Sequence, residues 1–239
     1  MANMDYITEN KLTQEADRLQ QSDQKMILLF GSLLAIGALY FNPIASIVIF
    51  VVTLMRWITQ NGDDALRAGA VGEDETISVL SQLPDSYTIY NQVDLPNEKS
   101  RTGFNEADII VSGPNVIFVI EVKHNNGAIT GDVDAKEWHV RKVGRGGTPY
   151  SKTMRNPIAQ VKKLVWLLSS DLKQRKQRAW VQGIVVFSND DATLSVTSNN
   201  KIPVLELSKL NQYIATFDAS SKMSNPRAIE RRLCELKAA

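Results

Sequence analysis

The sequence predicts an α/β domain with a mixed central sheet flanked by helices, preceded by a transmembrane helical hairpin. Three observations carry this expectation. Helical and extended patterns alternate along residues 67–237, as they do in α/β arrangements. Residues 116–123 read Val-Ile-Phe-Val-Ile-Glu-Val-Lys, the nearly unbroken apolar run of a strand covered on both faces. No charge occurs in the 30 residues from 26 to 55, more than the ~20 that cross a bilayer.

Residues 1–25 are polar and read as a short cytoplasmic helix or tail. Residues 26–58 follow as the membrane segment, interrupted by Asn42-Pro43. Proline removes a helix hydrogen bond and its ring disfavours helix at the residue before it. Two arrangements fit: short helices over 26–41 and 44–57 joined by a tight turn, or one kinked helix crossing once. At 1.5 Å per residue the arms span roughly 24 and 21 Å, short for a ~30 Å core, so a hairpin needs a thinned bilayer or interfacial ends. Arg18 and Lys25 precede the segment, Arg56 and Arg67 follow it, and the central turn has no charge. That distribution favours the hairpin with both termini in the cytoplasm. The apolar run starts too late, and lacks a small-residue cleavage site, for a removable signal peptide.

Asn61-Gly62-Asp63-Asp64 punctuates the end of this region. Residues 67–83 then show helical spacing, and Pro84-Asp85 stops it. Residues 87–93 alternate and are β-branched or aromatic, hence a strand; 95–104 reads as a polar loop. Residues 107–111 form a short apolar strand, Ser112-Gly113-Pro114-Asn115 a turn, and 116–123 the next strand. Short strands follow at 128–130 and 137–142. Residues 143–153, with three glycines, read as a loop. Asn156-Pro157 opens a helix to about residue 169, with Asn as cap and Pro in the first turn, and Ile158, Val161, Val165 and Leu168 form its apolar stripe. Residues 180–187 and 203–205 are strands, and 207–217 and 226–237 helices. The domain is expected over 67–190, with 191–239 packing on it or following it.

Net charge is +1, so overall balance indicates no partner. The distribution says more: residues 136–178 hold twelve Lys or Arg against two acids. Such a block collects phosphates electrostatically, or forms a solvated helical face and loop; Lys152, Arg155, Lys162 and Lys163 are the candidate nucleic-acid contacts. A single cysteine, Cys234, excludes an intrachain disulfide and a cysteine zinc cluster and fits a reducing compartment. His124 and His139 read as surface or sheet residues rather than ligands.

Chemistry concentrates in the hairpin of residues 107–123. If 112–115 make the turn and Val111 pairs with Val116, Asp108 lies opposite Val119, with Glu121 diagonal to it on the same face. Lys123 shares that face, because side chains alternate with period two. A one-residue slip would break the set. Phosphodiester hydrolysis calls for a divalent ion to polarise the phosphoryl oxygen and activate water. Mg²⁺ (or Mn²⁺) takes one or two carboxylates together with water and phosphate, and a lysine stabilises charge developing on the phosphate. The spacing alone is weak; an exposed strand end would show the same three residues.

The surrounding motifs resemble a known family. Gly72-Glu73, Glu106-Ala107-Asp108-Ile-Ile-Val, Val119-Ile-Glu121-Val-Lys123, Gly127-Ala-Ile-Thr-Gly131, Trp138 and Asn156-Pro157-Ile-Ala-Gln160 occur in the order of the nuclease-related domain. That family looks like a branch of the PD-(D/E)XK nuclease superfamily, with its restriction-endonuclease-like fold. The resemblance covers about residues 67–190. It implies that Asp108 and Glu121 are metal ligands, that Lys123 is the catalytic lysine, that Glu73 completes the metal shell and that Gln160 sits near the site. Read alone, Glu73 is a solvated helix acid, Gln160 a helix-surface amide and Trp138 a packing residue. Two positions depart from the family: Ala107 stands where the superfamily has proline, and Ile109 where the nuclease-related domain often has histidine.

The expectation is a membrane-held, Mg²⁺-dependent nuclease acting on DNA, anchored in lipid through residues 26–58, with its domain in the cytoplasm. The alternatives are a catalytically idle module binding nucleic acid or protein at the membrane, and a membrane-anchored scaffold. Retention of two carboxylates and a lysine argues against the first, and the basic segment against the second.

Overall fold

The computed structural model describes residues 1–59, 64–144, 146–197, 201–219 and 222–238. The Asn61-Gly62-Asp63 stop and Arg145 of the basic block lie outside them. The chain divides into two compact units, residues 9–70 and residues 1–8 with 71–239.

The first unit is a helical hairpin. Helix α1 (Lys11–Phe41) starts where Asn10 accepts a hydrogen bond from the Leu12 amide at 2.9 Å. It therefore takes in residues 11–25, which are rich in good helix formers, the helical one of the two arrangements expected there. Asn42 is extended and ends it, and Asn42 Oδ1 accepts from the amides of Ile44 (2.9 Å) and Ala45 (3.2 Å) to cap α2 (Pro43–Thr59). The segment is thus two helices, not one kinked helix. They pack antiparallel: Ser46 Oγ donates to the Ala35 carbonyl at 2.8 Å, and a Cβ added at Gly31 would lie 2.2 Å from Thr53 Cγ2. Small residues one turn apart, Gly31 and Ala35, let the backbones approach closely, as in lipid-embedded helix pairs. Helix α1 is long and apolar enough to cross a membrane, yet only 11% of its most apolar 18-residue window is buried. Leu29, Phe30, Leu33, Leu34 and Ile36 all face outward.

The second unit contains, in chain order, β1 (Asn3–Tyr6), the last part of α3 (Asp64–Leu80), β2 (Thr88–Pro96), β3 (Phe104–Ser112), β4 (Val116–Lys123), β5 (Gly127–Gly131), β6 (Glu137–Val143), β7 (Pro149–Arg155), α4 (Pro157–Gln174), β8 (Trp180–Phe187), β9 (Ala192–Val196), β10 (Val204–Glu206), a 3₁₀ turn, α5 (Leu210–Thr216) and α6 (Pro226–Ala238). Six strands form a mixed sheet ordered β1-β2-β3-β4-β8-β10, and four form a second sheet ordered β7-β6-β5-β9. The expected mixed sheet flanked by helices is present. One face of the six-stranded sheet packs Ile117, Val119 and Val185 on α4 and α6 through Ile158, Val161, Leu168 and Leu233. The other packs Ile89, Phe118 and Ile120 on α3 and α5 through Ile77, Leu80 and Ile214.

Four local expectations differ from the structure. Residues 3–6 are a strand, pairing Asn3 with Thr88 and Tyr6 with Tyr90 in parallel, and the Tyr6 ring stacks on Tyr90 at 4.8 Å. The loop expected over 95–104 is shorter, because β2 runs to Pro96 and β3 starts at Phe104. Much of the loop expected over 143–153 is β7, which pairs along all of β6. That strand is almost wholly exposed and polar, so it carries no hydrophobic alternation to read. Strand β9 is an added parallel partner of β5.

Asn156 explains its own position. Its side-chain oxygen caps α4 by accepting from the Ile158 amide at 2.9 Å, and its Nδ2 donates to the carbonyls of Val133 (3.0 Å) and Ala135 (2.7 Å). It thereby ties the turn before β6 to the start of α4 from a buried position. Asn156→Ala is expected to cost about 2 kcal/mol in denaturant unfolding. Asn156→Asp keeps the cap acceptor but aims a carboxylate at two carbonyls; it should cost at least as much, and a milder loss would show that the cap alone matters.

Candidate active site

Strands β3 and β4 meet in antiparallel register, with Ile109 opposite Ile120, Ile110 opposite Val119 and Ser112 opposite Ile117. The turn is tight: the Gly113 amide donates to the Val116 carbonyl at 2.9 Å. This shifts the pairing by two residues from the four-residue turn expected from sequence. Carried one step on, the register sets Asp108 directly opposite Glu121 rather than diagonal to it. A shift of two keeps every side chain on its face, whereas a shift of one would have dispersed the set.

The three central residues are brought together. Lys123 Nζ donates to Glu121 Oε1, and the two form an ion pair with Glu121 almost fully buried. Asp108 Oδ2 accepts from the Val122 amide at 2.7 Å. Burial and the adjoining Glu121 carboxylate push the Asp108 carboxyl well above its ordinary range, with Glu73 adding to the push; Lys123 and the Val122 amide oppose it. Burial disfavours the charge on Lys123, but Glu121 and Asp108 outweigh it and hold the ammonium above its ordinary value.

Glu73 is not a solvated helix acid; it is buried. Gly72 allows this. A Cβ there would lie 2.6 Å from His124 Cβ and 2.7 Å from Ser188 Oγ, so α3 sits against the end of β4 only with glycine at that position. Glu73 Oε2 accepts from Gln92 Nε2 at 3.0 Å.

Gln92 is a residue that sequence reasoning missed. It is buried, lies on β2 between the Asn91–Ile109 and Val93–Ala107 pairs, and so stands opposite Asp108. Its φ is 48°, a left-handed conformation that costs a non-glycine residue of order 1–3 kcal/mol and clusters at functional sites. Side-chain alternation breaks there as well. Ile89 packs in the α3 layer and Tyr90 in the α4 layer, yet Val93 and Leu95 join Tyr90's layer. The available signal was the polar pair Asn91-Gln92 inside an otherwise apolar strand.

Gln160, Arg155 and Lys163 line a cleft of about 480 Å³ with Glu121, Glu106 and Lys136. Lys152 and Lys162 are exposed and do not line it; the Lys152 ammonium lies 5.8 Å from the Tyr150 ring centroid. Trp138 is a packing residue, fully buried, stacked on Phe187 at 6.5 Å and donating from Nε1 to the Asp132 carbonyl. Both ring nitrogens of His124 bond within the protein, Nδ1 with Ser188 Oγ (2.9 Å) and Nε2 with Asn189 Nδ2 (3.1 Å). His139 is exposed on β6.

The family model for the nuclease-related domain matches residues 68–188. The chain belongs to the nuclease-related domain family. Every residue of the constellation, from Glu73 to Gln160, falls inside the matched span, and β9, β10, α5 and α6 lie beyond it. No protein of curated function matches the chain. Among solved structures, the chain is similar to the small subunit of a heterodimeric restriction endonuclease. That likeness is 12% identical, covers 70% of this chain and 78% of that one, and has a TM-score of 0.30. The nuclease-related domain here is a mixed α/β unit.

The donor set fits a hard divalent cation. Among the described residues no three His, Cys, Asp or Glu side chains form a cage. A magnesium-type ion does not require one, since it keeps several waters and takes one or two carboxylates. Asp108 Oδ2 accepts from the Val122 amide and Glu121 Oε1 from Lys123, so a cation would be held by the second oxygen of each carboxylate.

Proposed function

We propose that the chain is a membrane-anchored, divalent-metal-dependent nuclease that hydrolyses phosphodiester bonds, acting on DNA. The Asp108 carboxylate adjoining Glu121, with Glu121 paired to Lys123 and lining a cleft with Arg155 and Lys163, carries the reading. A bound Mg²⁺ or Mn²⁺ supplies Lewis-acid polarisation of the phosphate and a lowered water pKa. Asp108 and Glu121 would hold that ion, and Glu73 would complete its shell through water. Lys123 stabilises charge that develops on the phosphate. Arg155 and Lys163 hold the substrate backbone, and Gln160 orients the scissile group against Glu121. The hairpin of α1 and α2 lies in the bilayer, its outward apolar surface meeting lipid, with both ends on the cytoplasmic side.

The deciding experiment uses the full chain in lipid nanodiscs with labelled single- and double-stranded DNA and RNA. Cleavage of DNA that requires Mg²⁺ or Mn²⁺ and stops with chelator is expected. Salt-sensitive binding without cleavage would instead favour an idle binding module. A reporter inserted at Asn42 should read out on the side opposite the termini; a cytoplasmic signal would rule out the hairpin crossing.

Gln92 gives a separate expectation. Its bond orients Glu73, the carboxylate that would reach the ion through water, and loss of such supports typically costs 10- to 100-fold in metal affinity. Gln92→Ala should therefore weaken the divalent ion by about 10-fold in a calorimetric titration, and Gln92→Glu, with a carboxylate facing Glu73, by more. Unchanged affinity in both would place Glu73 outside the metal shell.

A further inference from the structure

Helix α4 places the half-buried Gln160 and Ser170 and the exposed Lys163 and Trp166 at successive three- and four-residue steps, so they form one surface line. Gln160 and Lys163 line the cleft that contains Glu121. Lys163 also lines a second cavity of about 470 Å³, walled by Trp166, Leu167 and the loop residues Asn97 and Lys99. The two cavities therefore share Lys163 as a wall residue on α4.

Trp166 is 64% exposed, although it sits in a helix whose other large apolar residues are in the core. Among the described residues of its unit it is the most exposed aromatic side chain. Packing of this domain does not account for it. Its walls carry two lysines and two acids, and one of the acids is neutralised by a partner outside the cavity. Lys163 and Lys99 flank the cavity, while Asp171 on its wall is bound by Arg232 through two bonds of 2.6 and 2.8 Å. Glu98 also lines the cavity, next to Lys99 in the chain. From Gln160 to Trp166 the helix rises about 9 Å, roughly two or three nucleotides at the ~3.4 Å rise of a stacked strand.

We infer that the Trp166 cavity is a nucleobase-stacking subsite for an unpaired stretch of nucleic acid, reached from the cleavage cleft past Lys163. The inference rests on the nuclease reading above and adds a substrate class to it. An aromatic face beside cations binds bases with little regard to sequence, and it needs a base out of its duplex stack. The substrate then carries a single-stranded segment next to the scissile bond, and a blunt duplex is a poor ligand.

The test measures binding of a labelled single-stranded oligonucleotide to the full chain in nanodiscs, on a Glu121→Gln background that prevents cleavage. Trp166→Ala should weaken binding about 5- to 150-fold, the range of one base–aromatic stack, and Trp166→Phe should restore most of it. An oligonucleotide with a run of abasic sites should bind the unsubstituted Trp166 protein weakly and show no further loss with Trp166→Ala. A blunt duplex should bind weakly and be indifferent to the substitution. If single strands are bound and cleaved but Trp166→Ala changes nothing, or if abasic and intact strands lose equally, the subsite is overturned and the nuclease reading stands. If the protein neither binds nor cleaves nucleic acid, both fall. Quenching by brominated lipid that disappears in Trp166→Phe, with no response to oligonucleotide, would place the side chain at the lipid surface and also overturn the subsite.

Discussion

Asp108→Asn is expected to abolish cleavage while making the metal-free domain more stable. Without the Asp108 carboxylate the proposed metal site would lose one of its two carboxylates, and with it the several kcal/mol of charge stabilisation that a divalent ion supplies. The expected loss is on the order of 10³-fold or more in kcat/KM. The stability effect has the opposite sign. In the metal-free protein Asp108 is pressed against Glu121 in a partly dry site, and its carboxyl is raised well above its ordinary 3.8. The folded state therefore holds that proton more tightly than the unfolded chain does. By linkage the contribution of this group falls as pH rises from about 3.8 through the raised folded value, and at neutral pH it is a net cost. Asparagine retains an oxygen to accept from the Val122 amide and removes the charge. A gain on the order of 1 kcal/mol, roughly 2–4 °C in Tm, is expected at neutral pH without metal. Divalent ion should reverse the ranking: at 100 times Kd it adds about 2.7 kcal/mol to the original protein and little to the variant. Thermal melts with and without Mg²⁺, at pH 5 and pH 8, check all of this. A variant less stable than the original at pH 8 without metal would mean that the two carboxylates do not repel.

The legible parts of the fold were those in which local pattern and burial agree. Strands β4 and β8 were readable to the residue, because a strand covered on both faces leaves an apolar run and a turn sequence bounds it. The start of α4 was readable because Asn156 and Pro157 each have a local reason to be there. The hairpin register was not, since a tight turn about Pro114-Asn115 and a longer one use the same residues. The shared face survived because the error was even. Strands β1 and β7 escaped for a different reason: both are edge strands at which little apolar surface is buried, so pairing rather than side-chain pattern defines them. Glu73 and Gln92 mark the deepest limit. Nothing in Gly72-Glu73 alone reveals that α3 lies against His124 and buries the acid, and a left-handed backbone within a strand is a property of the assembled sheet. Only the ordered motifs pointed to Glu73, and nothing pointed to Gln92's bond with it.

Lys123→Ala separates binding from chemistry at the same site. The ammonium bonds Glu121, and in the proposed site it acts on the phosphate rather than on the metal. Its removal should leave divalent binding in place and lower kcat by about 10²–10³-fold, the usual loss when one fixed donor to a developing oxyanion disappears. KM should change much less, since Arg155 and Lys163 remain to hold the backbone. The metal-free domain should respond in the direction opposite to Asp108→Asn. Lys123 is the cation that partly offsets two adjoining carboxylates. Without it Glu121, 5% exposed at its side chain, stays buried against Asp108 with no counter-charge. Breaking a buried pair from one side typically costs 3–5 kcal/mol. Relaxation of the partly exposed Lys123 end reduces that here, so a loss of about 2 kcal/mol or more is expected at neutral pH. Mg²⁺ should restore most of it, because the ion supplies the missing positive charge. Lys123→Arg keeps the charge and should keep the stability, but its planar fork is longer and differently shaped, so its kcat should stay low. Stability lost without metal, recovered with metal, and turnover recovered in neither condition is the combined result expected if Lys123 both balances the carboxylates and acts on the phosphate. Full turnover in Lys123→Ala, with only the stability altered, would reduce it to a structural counter-ion and leave the phosphate charge to Arg155 and Lys163.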